Sequence, residues 1–447
     1  MPAKKILIFA EAVTLAHLVR PYQLAKVLVQ SGYRVHFASA DRFQFVFDQP
    51  DIEHHWIESV AHGRFLERVE TGRCLYSAQE LIDYVGEEVE LIRRLSPDLV
   101  MGDFRHSLSI STRLARALYI NLINAYWSPW QHQMVLPVPQ LRQVALHRIP
   151  GMKHVMPLMS RIIFHVQGRA LNQAREHFGL PPFSHCLHGW TFGDHTAYYD
   201  VPAHFDLPAL PANHHFIGHV PWQPTAVPPS DQLLDGLADP FVYVALGSSA
   251  GAGVLGAVVE RLMRLGLELV VSGVAKQDRP ASWDHKVRSA PLVAGEVIAR
   301  RASLVITNGG SPSSYQALAA GTPVLGVAVN MDQLLAMSNL QRLGGGYLLR
   351  PGEIASGRFD SRVQSLLNGE CQHSVRVLAE QLGSMDYRQQ LPQLVQRVID
   401  FDDASASRES TDASKRAEQA SLSAASWTLR PILRSSLINA PMREDVH

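Results

Sequence analysis

Two stretches of this chain share one order of features: an apolar run, a turn, a helical pattern and a second apolar run. In the first stretch, residues 5–10 (KILIFA) have the composition of a strand buried on both faces of a parallel sheet. Apolar residues recur at helical spacing over 21–31, Gly32 ends that pattern, and 35–38 read as a strand again. This order predicts a βαβ unit, the repeating element of a doubly wound parallel sheet.

The same order begins again at residue 241. Residues 241–246 (FVYVAL) predict a buried strand, 254–265 a helix and 267–271 the next strand. The 447 residues also exceed what one hydrophobic core holds, because a domain usually takes about 150. We therefore expect an α/β protein with two Rossmann-like, doubly wound domains.

Proline marks the boundary between the two halves. Four prolines lie within 220–229, and a segment so stiff and so poor in backbone donors suits a linker. Beyond 403 the composition shifts to Ser, Ala, Arg and Glu with little periodicity, which predicts a disordered tail. The predicted parts are an N-terminal domain at 1–222, a linker at 223–239, a C-terminal domain at 240–385, a C-terminal helix at 386–402 and the tail at 403–447.

Charge and cysteine content exclude several classes of protein. Forty-one basic side chains balance 41 acidic ones, which argues against general nucleic-acid binding. Cys74, Cys186 and Cys371 lie far apart, so neither a disulfide framework nor a zinc knuckle is predicted. No run reaches the ~20 apolar residues of a membrane-spanning helix, and no cleavage site follows the N-terminal apolar run. These features predict a cytoplasmic protein.

A glycine-serine turn follows the strand-like residues 304–306. Gly309 and Gly310 permit a sharp turn and a close approach of the backbone. Ser311 is predicted to cap the next helix, and Pro312 to take its first position. The N–H groups then left unpaired at the positive end of that helix are those of Ser313 and Ser314. The turn therefore predicts an anion site, with an ordinary capped turn between strand and helix as the alternative.

A polar pair, Asp332 and Gln333, follows the next strand-like segment at 323–327. Ligands of open α/β sheets bind outside the carboxyl ends of the strands, and carboxylate and amide groups can each bond several sugar hydroxyls. Together with the anion site, the pair predicts binding of a diphosphate joined to a polyhydroxyl group. The alternative for Asp332 is the N-cap of the following helix.

Four motifs in this half resemble a known family. TNGGSPSSYQAL (307–318), AAGTPV (319–324), MDQ (331–333) and LGGG (343–346) look like the signature of family 1 nucleotide-sugar glycosyltransferases. That signature reads T-H-G-G-x-G-T-x-x-E-A-L, then G-x-P, D-Q and G-x-G. The resemblance covers residues 4 to about 400. It implies a GT-B fold, in which an N-terminal acceptor-binding domain and a C-terminal donor-binding domain face a central cleft.

The resemblance also implies a donor site. Its residues are Gly247, Ser248, Ser249, Asn308, Gly309, Gly310, Ser311, Ser313 and Ser314 around the diphosphate, Gln316 at the ribose, and Asp332 and Gln333 at the transferred sugar. Three positions depart from the pattern: Asn308 replaces its His, Pro312 the last Gly of its G-G-x-G run and Gln316 its Glu. These departures leave a non-catalytic auxiliary homologue open as an alternative.

A histidine and an aspartate follow two strands of the first half. His17 lies after the first strand, where an imidazole could take the proton of an acceptor hydroxyl, and Asp103 ends a later strand, where it could orient His17. The surrounding AHLVRPYQLA (16–25) looks like the family's G-H-x-x-P-x-x-x-L-A element, whose His is the base. His106 is a nearby rival, and Glu11 reads either as structural or as a secondary acid-base group.

The segment between Phe104 and Arg175 contains no Asp or Glu. It is bounded or crossed by nine basic residues: Arg105, Arg113, Arg116, Arg142, Arg148, Lys153, Arg161, Arg169 and Arg175. We expect a surface for an amphiphilic acceptor or for peripheral contact with the inner membrane. The alternative is neutralisation by acidic residues elsewhere, for which Glu87, Glu88 and Glu90 are candidates. Trp127 and Trp130 are predicted to form an aromatic acceptor wall, with core packing as their alternative use.

Taken together, these features predict an inverting, metal-independent glycosyltransferase. It would move a hexosyl or deoxyhexosyl group from a UDP- or dTDP-sugar to a hydroxyl of a small, amphiphilic or lipid-like acceptor. No Asp-x-Asp element suggests a metal, and no bound cofactor is predicted beyond the nucleotide sugar as co-substrate. An epimerase or hydrolase of the same fold stays open, whereas the lack of GxGxxG after either first strand disfavours an NAD dehydrogenase.

Overall fold

A computed structural model gives the fold of the described part of the chain. The described residues are 3–131, 136–139, 149–224, 227, 230–247, 251–283 and 285–404. Residues 1–396 form one compact unit that contains both β-sheets, and a second unit begins at Arg397. Among the described residues, no helix is both long enough and apolar enough to span a membrane.

The first sheet has seven parallel strands in the order β3-β2-β1-β4-β5-β6-β7. Its strands are β1 (Lys5–Ala10), β2 (Arg34–Ser39), β3 (Glu53–Trp56), β4 (Leu99–Asp103), β5 (Tyr119–Ile123), β6 (His195–Tyr198) and β7 (His214–Phe216). The helices of this half are α1 (Leu15–Gln30), α2 (His62–Thr71), α3 (Ala78–Leu95), α4 (Leu108–Ala115), α5 (Met152–His177) and α6 (Cys186–Trp190).

The second sheet has six parallel strands in the order β10-β9-β8-β11-β12-β13. Its strands are β8 (Phe241–Ala245), β9 (Glu268–Ser272), β10 (Val287–Ala290), β11 (Leu304–Thr307), β12 (Val324–Val327) and β13 (Gly346–Leu349). The helices of this half are α7 (Ser230–Leu234), α8 (Gly251–Arg264), α9 (Gly295–Arg301), α10 (Ser311–Ala319), α11 (Met331–Arg342), α12 (Gly357–Leu367) and α13 (Gln372–Gly383). A further helix, α14, covers residues 387–404.

The central strands are apolar because both sheet faces are covered. Every residue of β1 from Ile6 onward and every residue of β11 is buried. Such runs are the mark of strands with helices on both sides, and the prediction of a two-domain α/β fold is confirmed. In each sheet the strand order reverses beside the first strand, between β1 and β4 and between β8 and β11. Ligands of doubly wound sheets bind at that reversal, outside the carboxyl ends of the strands.

Two helices begin earlier than the sequence pattern predicts. Helix α1 begins at Leu15, so His17 lies in its first turn and not in a loop, and Pro21 lies inside the helix. A helix accepts proline there at the loss of one hydrogen bond, the one that the His17 carbonyl would accept. Helix α10 begins at Ser311 with Gly310 as its N-cap, one residue before the prediction.

The predicted boundaries meet the observed elements as follows. The short helix α7 lies inside the predicted linker at 223–239. The C-terminal helix, predicted at 386–402, is observed at 387–404, so it begins one residue later and ends at least two residues later than predicted. Of the predicted tail, residues 403 and 404 are helical, and 405–447 lie outside the described residues.

Candidate active site

His17 and Asp103 lie together at the carboxyl ends of two neighbouring strands. Ala10, the last residue of β1, pairs in register with Asp103, the last residue of β4, so the turn from β1 into α1 brings His17 beside that carboxylate. His17 Nδ1 lies 2.7 Å from Asp103 Oδ1. The Asp103 side chain is 2% exposed and that of His17 is 19% exposed. A carboxylate that accepts from Nδ1–H leaves Nε2 as the basic nitrogen, so the pair can deprotonate a hydroxyl in the cleft.

The His17 ring has a second support. It stacks on Phe104 at 4.3 Å between ring centroids and 18° between planes. Phe104 directly follows β4 and has φ of 57°, a left-handed conformation that few non-glycine residues adopt. This turn aims the Phe104 ring at the imidazole, so that His17 is fixed by a hydrogen bond and by a ring face.

Arg20 lies one helical turn after His17 and is 5% exposed. Its Nη2 is 3.6 Å from Asp103 Oδ2, its Nη1 donates to Asn124 Oδ1 at 2.6 Å, and its guanidinium lies 4.1 Å from the Tyr199 ring centroid. Burial is the largest single effect and acts to lower the pKa of Arg20, but Asp103 together with Tyr199, Tyr126 and Asp332 outweighs it, so the pKa is raised. Arg20 is therefore a buried, permanently charged group beside the His17–Asp103 pair.

The glycine-serine turn is built around Thr307, the last residue of β11. The Thr307 hydroxyl accepts from the Gly309 N–H at 2.9 Å and lies 3.2 Å from Ser314 Oγ. Gly309 has φ of 83°, and a Cβ on it would lie 2.7 Å from Met337 Cγ. Only glycine satisfies both conditions, which is why the turn can pass so close to α11.

The start of α10 differs from its prediction in two respects. Ser311 is not the N-cap, since its hydroxyl donates to Asn124 Oδ1 at 3.3 Å across the cleft and bonds no N–H of its own helix. Because the helix starts one residue early, the Ser314 N–H is not unpaired and donates to the Gly310 carbonyl at 3.2 Å. The Ser314 hydroxyl is also buried, whereas Ser313 is half-buried. The Ser314 N–H is therefore not the unpaired donor that the prediction of an anion site assumed.

The other predicted donor residues lie around the same turn. A Cβ on Gly247, which follows β8, would lie 3.4 Å from Asn308 Nδ2, and Asn308 Oδ1 accepts from the Gly310 N–H at 3.0 Å. Gln316 Nε2 donates to the Trp222 carbonyl at 3.2 Å. Ser248 and Ser249 lie outside the described residues.

Asp332 contacts the first half of the molecule. Its Oδ1 accepts from the Tyr126 hydroxyl at 2.9 Å and from Trp127 Nε1 at 2.8 Å. The N-cap of α11 is Asn330, whose side chain accepts from the Gln333 N–H, so the N-cap alternative for Asp332 is wrong. Gln333 is 3% exposed, and its Oε1 accepts from the backbone N–H of Val329 at 2.8 Å. Of this predicted sugar-binding pair, Asp332 bonds the first half of the molecule across the cleft, whereas Gln333 bonds the backbone of its own domain.

A buried set of polar side chains connects the two halves. Asn124 accepts from Arg20 on one side and from Ser311 on the other. Asp200, which is fully buried, accepts from the Tyr315 hydroxyl of α10 at 2.6 Å and from the Ala125 N–H at 2.6 Å. A small cavity of about 10 Å³ lies here, lined by Arg20, Tyr199, His219, Val220, Ser311, Pro312 and Tyr315. The imidazole and the start of α10 are thus linked through Asp103, Arg20 and Asn124.

The two predicted wall tryptophans have different surroundings. Trp127 packs edge-on against Trp190 at 5.2 Å, while Trp130 packs against His188 and His214. His106 stacks on Trp190 at 5.5 Å and lies 4.9 Å from the Phe104 ring. A series of aromatic rings in contact with one another therefore extends from Phe104 through His106 and Trp190 to Trp127, whereas Trp130 contacts other rings.

His106 is a poor candidate for the base. Burial, with a smaller contribution from the neighbouring His17, lowers its pKa to about 3. A ring with so low a pKa binds a proton weakly at neutral pH.

Glu11 is structural. Its side chain is fully buried and lies 2.8 Å from Arg105 Nη1. The Nε of the same arginine donates to Glu88 at 2.6 Å. Burial raises the pKa of Glu11 against the opposing effect of Arg105. Its carboxylate therefore has no access to a substrate, and the acid-base alternative is wrong.

The acidic counterparts of the basic segment account for part of its charge. Glu88 pairs with Arg105 as that alternative supposed, and Glu87 lies 3.9 Å from Arg105, but Glu90 pairs with Arg94 instead. Arg113 pairs with Asp194. Arg175 is buried and donates to the Ser109 and Pro181 carbonyls, whereas Arg116, Arg161 and Arg169 are exposed. Arg142 and Arg148 and the Lys153 side chain lie outside the described residues.

Within the described residues, one group of three side chains has metal-ligand spacing. His36 Nδ1 lies 3.0 Å from His55 Nε2 and 3.4 Å from Glu53 Oε2, on strands β2 and β3. His36 Nε2 is buried without a hydrogen-bond partner, although metal-binding histidines normally donate from their second nitrogen. The group includes none of the residues of the His17–Asp103 pair or of the glycine-serine turn.

Sequence reasoning missed Arg20, Asn124, Tyr126 and Trp190. Only Arg20 carried a usable signal, because residues three apart on a helix share a face and His17 was already a candidate. The other three lie outside the predicted motifs. Asn124 and Tyr126 become significant through partners 187 and 206 positions away, Ser311 and Asp332.

Comparison with known proteins identifies the family. The chain is 37% identical over 389 residues to the PGL/p-HBAD biosynthesis rhamnosyltransferase of Mycobacterium bovis, which covers 85% of this chain and 84% of that protein. It is 36% identical over 387 residues to a PGL/p-HBAD biosynthesis glycosyltransferase of Mycobacterium tuberculosis, covering 85% of this chain and 89% of that protein. No protein-family model matches the chain.

Among solved structures, spinosyn rhamnosyltransferase SpnG has the same fold. The structure of SpnG with thymidine diphosphate covers 88% of this chain and 100% of its own, with a TM-score of 0.64 and 16% identity. SpnG has also been solved with spinosyn aglycone. The chain belongs to the family 1 nucleotide-sugar glycosyltransferases of GT-B fold, and it is a glycosyltransferase.

Proposed function

We propose that the enzyme transfers a deoxyhexosyl group with inversion, and that His17 is the base. The observation that carries this proposal is the 2.7 Å contact between His17 Nδ1 and the buried Asp103 carboxylate. His17 Nε2 takes the proton of the acceptor hydroxyl while its oxygen attacks the anomeric carbon. The bond between that carbon and the diphosphate oxygen breaks, the nucleoside diphosphate leaves with the electron pair, and Asp103 stabilises the imidazolium.

The leaving diphosphate is proposed to be stabilised without a metal ion. The first turn of α10 presents the positive end of a helix, and Ser313 and the Asn308 amide add neutral donors. Arg20 lines the same cavity as Ser311 and Pro312 and brings a positive charge from the opposite domain. The family motif has a histidine where this chain has the uncharged Asn308. We propose that Arg20 supplies the positive charge that is missing there.

The donor is proposed to be a dTDP-activated deoxyhexose. Two similarities support this choice: a relative at 37% identity is named a rhamnosyltransferase, and the SpnG structure contains thymidine diphosphate. Asp332 becomes available to accept from sugar hydroxyls once these replace the Tyr126 hydroxyl and the Trp127 indole N–H as its donors. The acceptor is proposed to be the hydroxyl of an apolar or amphiphilic molecule, because a series of aromatic rings in contact with one another extends from Phe104, beside His17, through His106 and Trp190 to Trp127.

Product analysis tests the reaction. Purified enzyme is incubated with dTDP-rhamnose or UDP-glucose, with and without a set of aromatic and alkyl alcohols, in the presence of EDTA. We expect a glycoside of inverted anomeric configuration from dTDP-rhamnose, with free dTDP formed in proportion to it. Release of free sugar without acceptor would indicate a hydrolase, retention would exclude the His17 mechanism, and loss of activity in EDTA would exclude metal independence.

A further inference from the structure

Helix α5 carries a row of exposed apolar side chains. Val155, Leu158, Ile162 and Val166 are 45%, 64%, 54% and 39% exposed. Successive members are three or four residues apart, so all four lie on one face of the helix. Scattered exposed apolar residues are ordinary, but a row of four on one helix face indicates a binding surface.

Basic side chains accompany this row. Arg161, His165 and Arg169 are exposed on the same helix, and α5 has no acidic residue before Glu176. An apolar row beside cations suits the surface of an anionic bilayer. The apolar side chains can insert among the acyl chains, and the basic side chains can pair with the headgroup phosphates. We propose that this face of α5 docks on an anionic lipid surface.

The opposite face of α5 connects the surface to the cleft. Met156 and Phe164 are buried there, in the cluster against which Trp127 and Trp190 pack. A helix with its side chains is about 10 Å across, so a bilayer on the outer face lies about one helix diameter from the aromatic wall. That distance suits an amphiphilic acceptor delivered from the lipid surface. This last step rests on the proposed acceptor class, whereas docking on lipid does not.

Vesicle co-sedimentation of the full chain tests the docking. The probes are vesicles of phosphatidylcholine alone and of phosphatidylcholine and phosphatidylglycerol in equal parts. We expect wild type to bind the anionic vesicles more tightly and to lose that excess at high salt. Leu158→Gln with Ile162→Gln should weaken binding to both vesicles about tenfold. Arg161→Gln with Arg169→Gln should weaken binding to the anionic vesicles alone, by about fivefold per charge.

A matched control replaces exposed apolar residues elsewhere. Val297 and Val377 are 43% and 40% exposed on α9 and α13, and Val297→Gln with Val377→Gln should bind like wild type. Solution turnover of a soluble acceptor should not change in the α5 variants, which separates docking from catalysis. Docking is overturned if wild type binds neither vesicle, or if the Leu158/Ile162 variant binds as well as wild type. It is also overturned if ultracentrifugation finds a dimer that this variant dissociates and vesicles bind neither form.

Discussion

His17 owes its orientation to one hydrogen bond and one ring contact, and each can be tested by substitution. His17→Ala removes the imidazole that we propose as the base, while the donor turn at 307–314 is left intact. Turnover should fall by roughly 10²- to 10⁴-fold, with the donor KM close to wild type. Asp103→Asn should also lower kcat, because an amide that donates to Nδ1 would put the ring proton on Nε2.

The measurement is steady-state kinetics with separate titrations of donor and acceptor. His373→Ala, at an exposed position of α13, is the control and should turn over like wild type. Full turnover of the His17→Ala enzyme would place the base on another residue.

Gln316 shows how local contacts can reverse an expectation taken from a motif. The family pattern has Glu at this position, so the motif suggests that Gln316→Glu restores the ribose contact. The structure predicts the opposite. Gln316 Nε2 donates to the Trp222 carbonyl at 3.2 Å, and a carboxylate there would set two acceptors against each other. The variant should lose about 1–3 kcal/mol of stability, and bind dTDP no more tightly than wild type.

Thermal unfolding and calorimetry with dTDP measure the two effects. A Gln316→Glu enzyme that is both as stable as wild type and tighter in dTDP binding would show that the Trp222 contact is dispensable.

Strand β13 depends on a glycine where it meets β12. Gly346 has φ of 154°, and a Cβ on it would lie 1.8 Å from the Val324 carbonyl oxygen. Backbone atoms cannot move aside cheaply, so Gly346→Ala should destabilise the fold by about 3 kcal/mol or more. Gly256, in helix α8, has nothing within 4 Å of the same atom, and Gly256→Ala should stabilise by about 0.5–1 kcal/mol.

Urea denaturation of the two variants and wild type compares the two sites. Equal stabilities of the two alanine variants would contradict the close approach of β13 to β12.

The central strands β1, β8 and β11 could be predicted from the sequence because each is a largely apolar run. Strands β3 (EHHW), β6 (HTAY), β7 (HHF) and β10 (VRSA) carry no such run, and the apolar pattern does not predict them. Apolar runs also predicted the neighbourhood of His17 and Asp103, since parallel strands end at one edge of a sheet. Helix starts were predicted less well, and α10 shows why. Ser311 has the side chain of an N-cap, but Asn124 of the other domain takes its hydroxyl. No residue near Ser311 in the sequence indicates that Asn124 is its partner.

On the scale of the molecule, the cleft is formed by contacts between distant parts of the sequence. Asp332 meets Tyr126 and Trp127, and Tyr315 meets Asp200. The donor-site residues that the motifs name stay a prediction. The motifs could not predict that Asp332 has hydroxyl and indole donors from the first half of the chain, because hydrophobic periodicity carries no information on pairing between domains.

The histidines, which gave no metal signal in the sequence, predict how the whole fold responds to acid. Burial is the main cause that lowers the pKa of His106 to about 3 and of His204 and His214 to about 4, against an ordinary value of 6.5. The folded protein keeps these rings neutral at pH values where the unfolded chain protonates them. The unfolded state therefore binds more protons, and their contribution to stability is present above pH 6.5 and is lost as the pH falls toward 3.

His106→Phe isolates one of these groups, since phenylalanine can keep the stack on Trp190. At pH 5 the His106 ring of wild type is neutral in the folded state and charged in the unfolded state. Removing the ring should therefore reduce the slope of unfolding free energy against pH by about 1.4 kcal/mol per pH unit, which corresponds to one proton. Comparison with wild type cancels the opposite contributions of Glu11 and Asp200, whose pKa values burial raises. Urea denaturation at steps between pH 4.5 and 6 gives both slopes, with exposed His373→Gln as the control expected to match wild type. Parallel slopes for wild type and His106→Phe would mean that His106 is protonated in the folded protein, and the argument against it as the base would then fail.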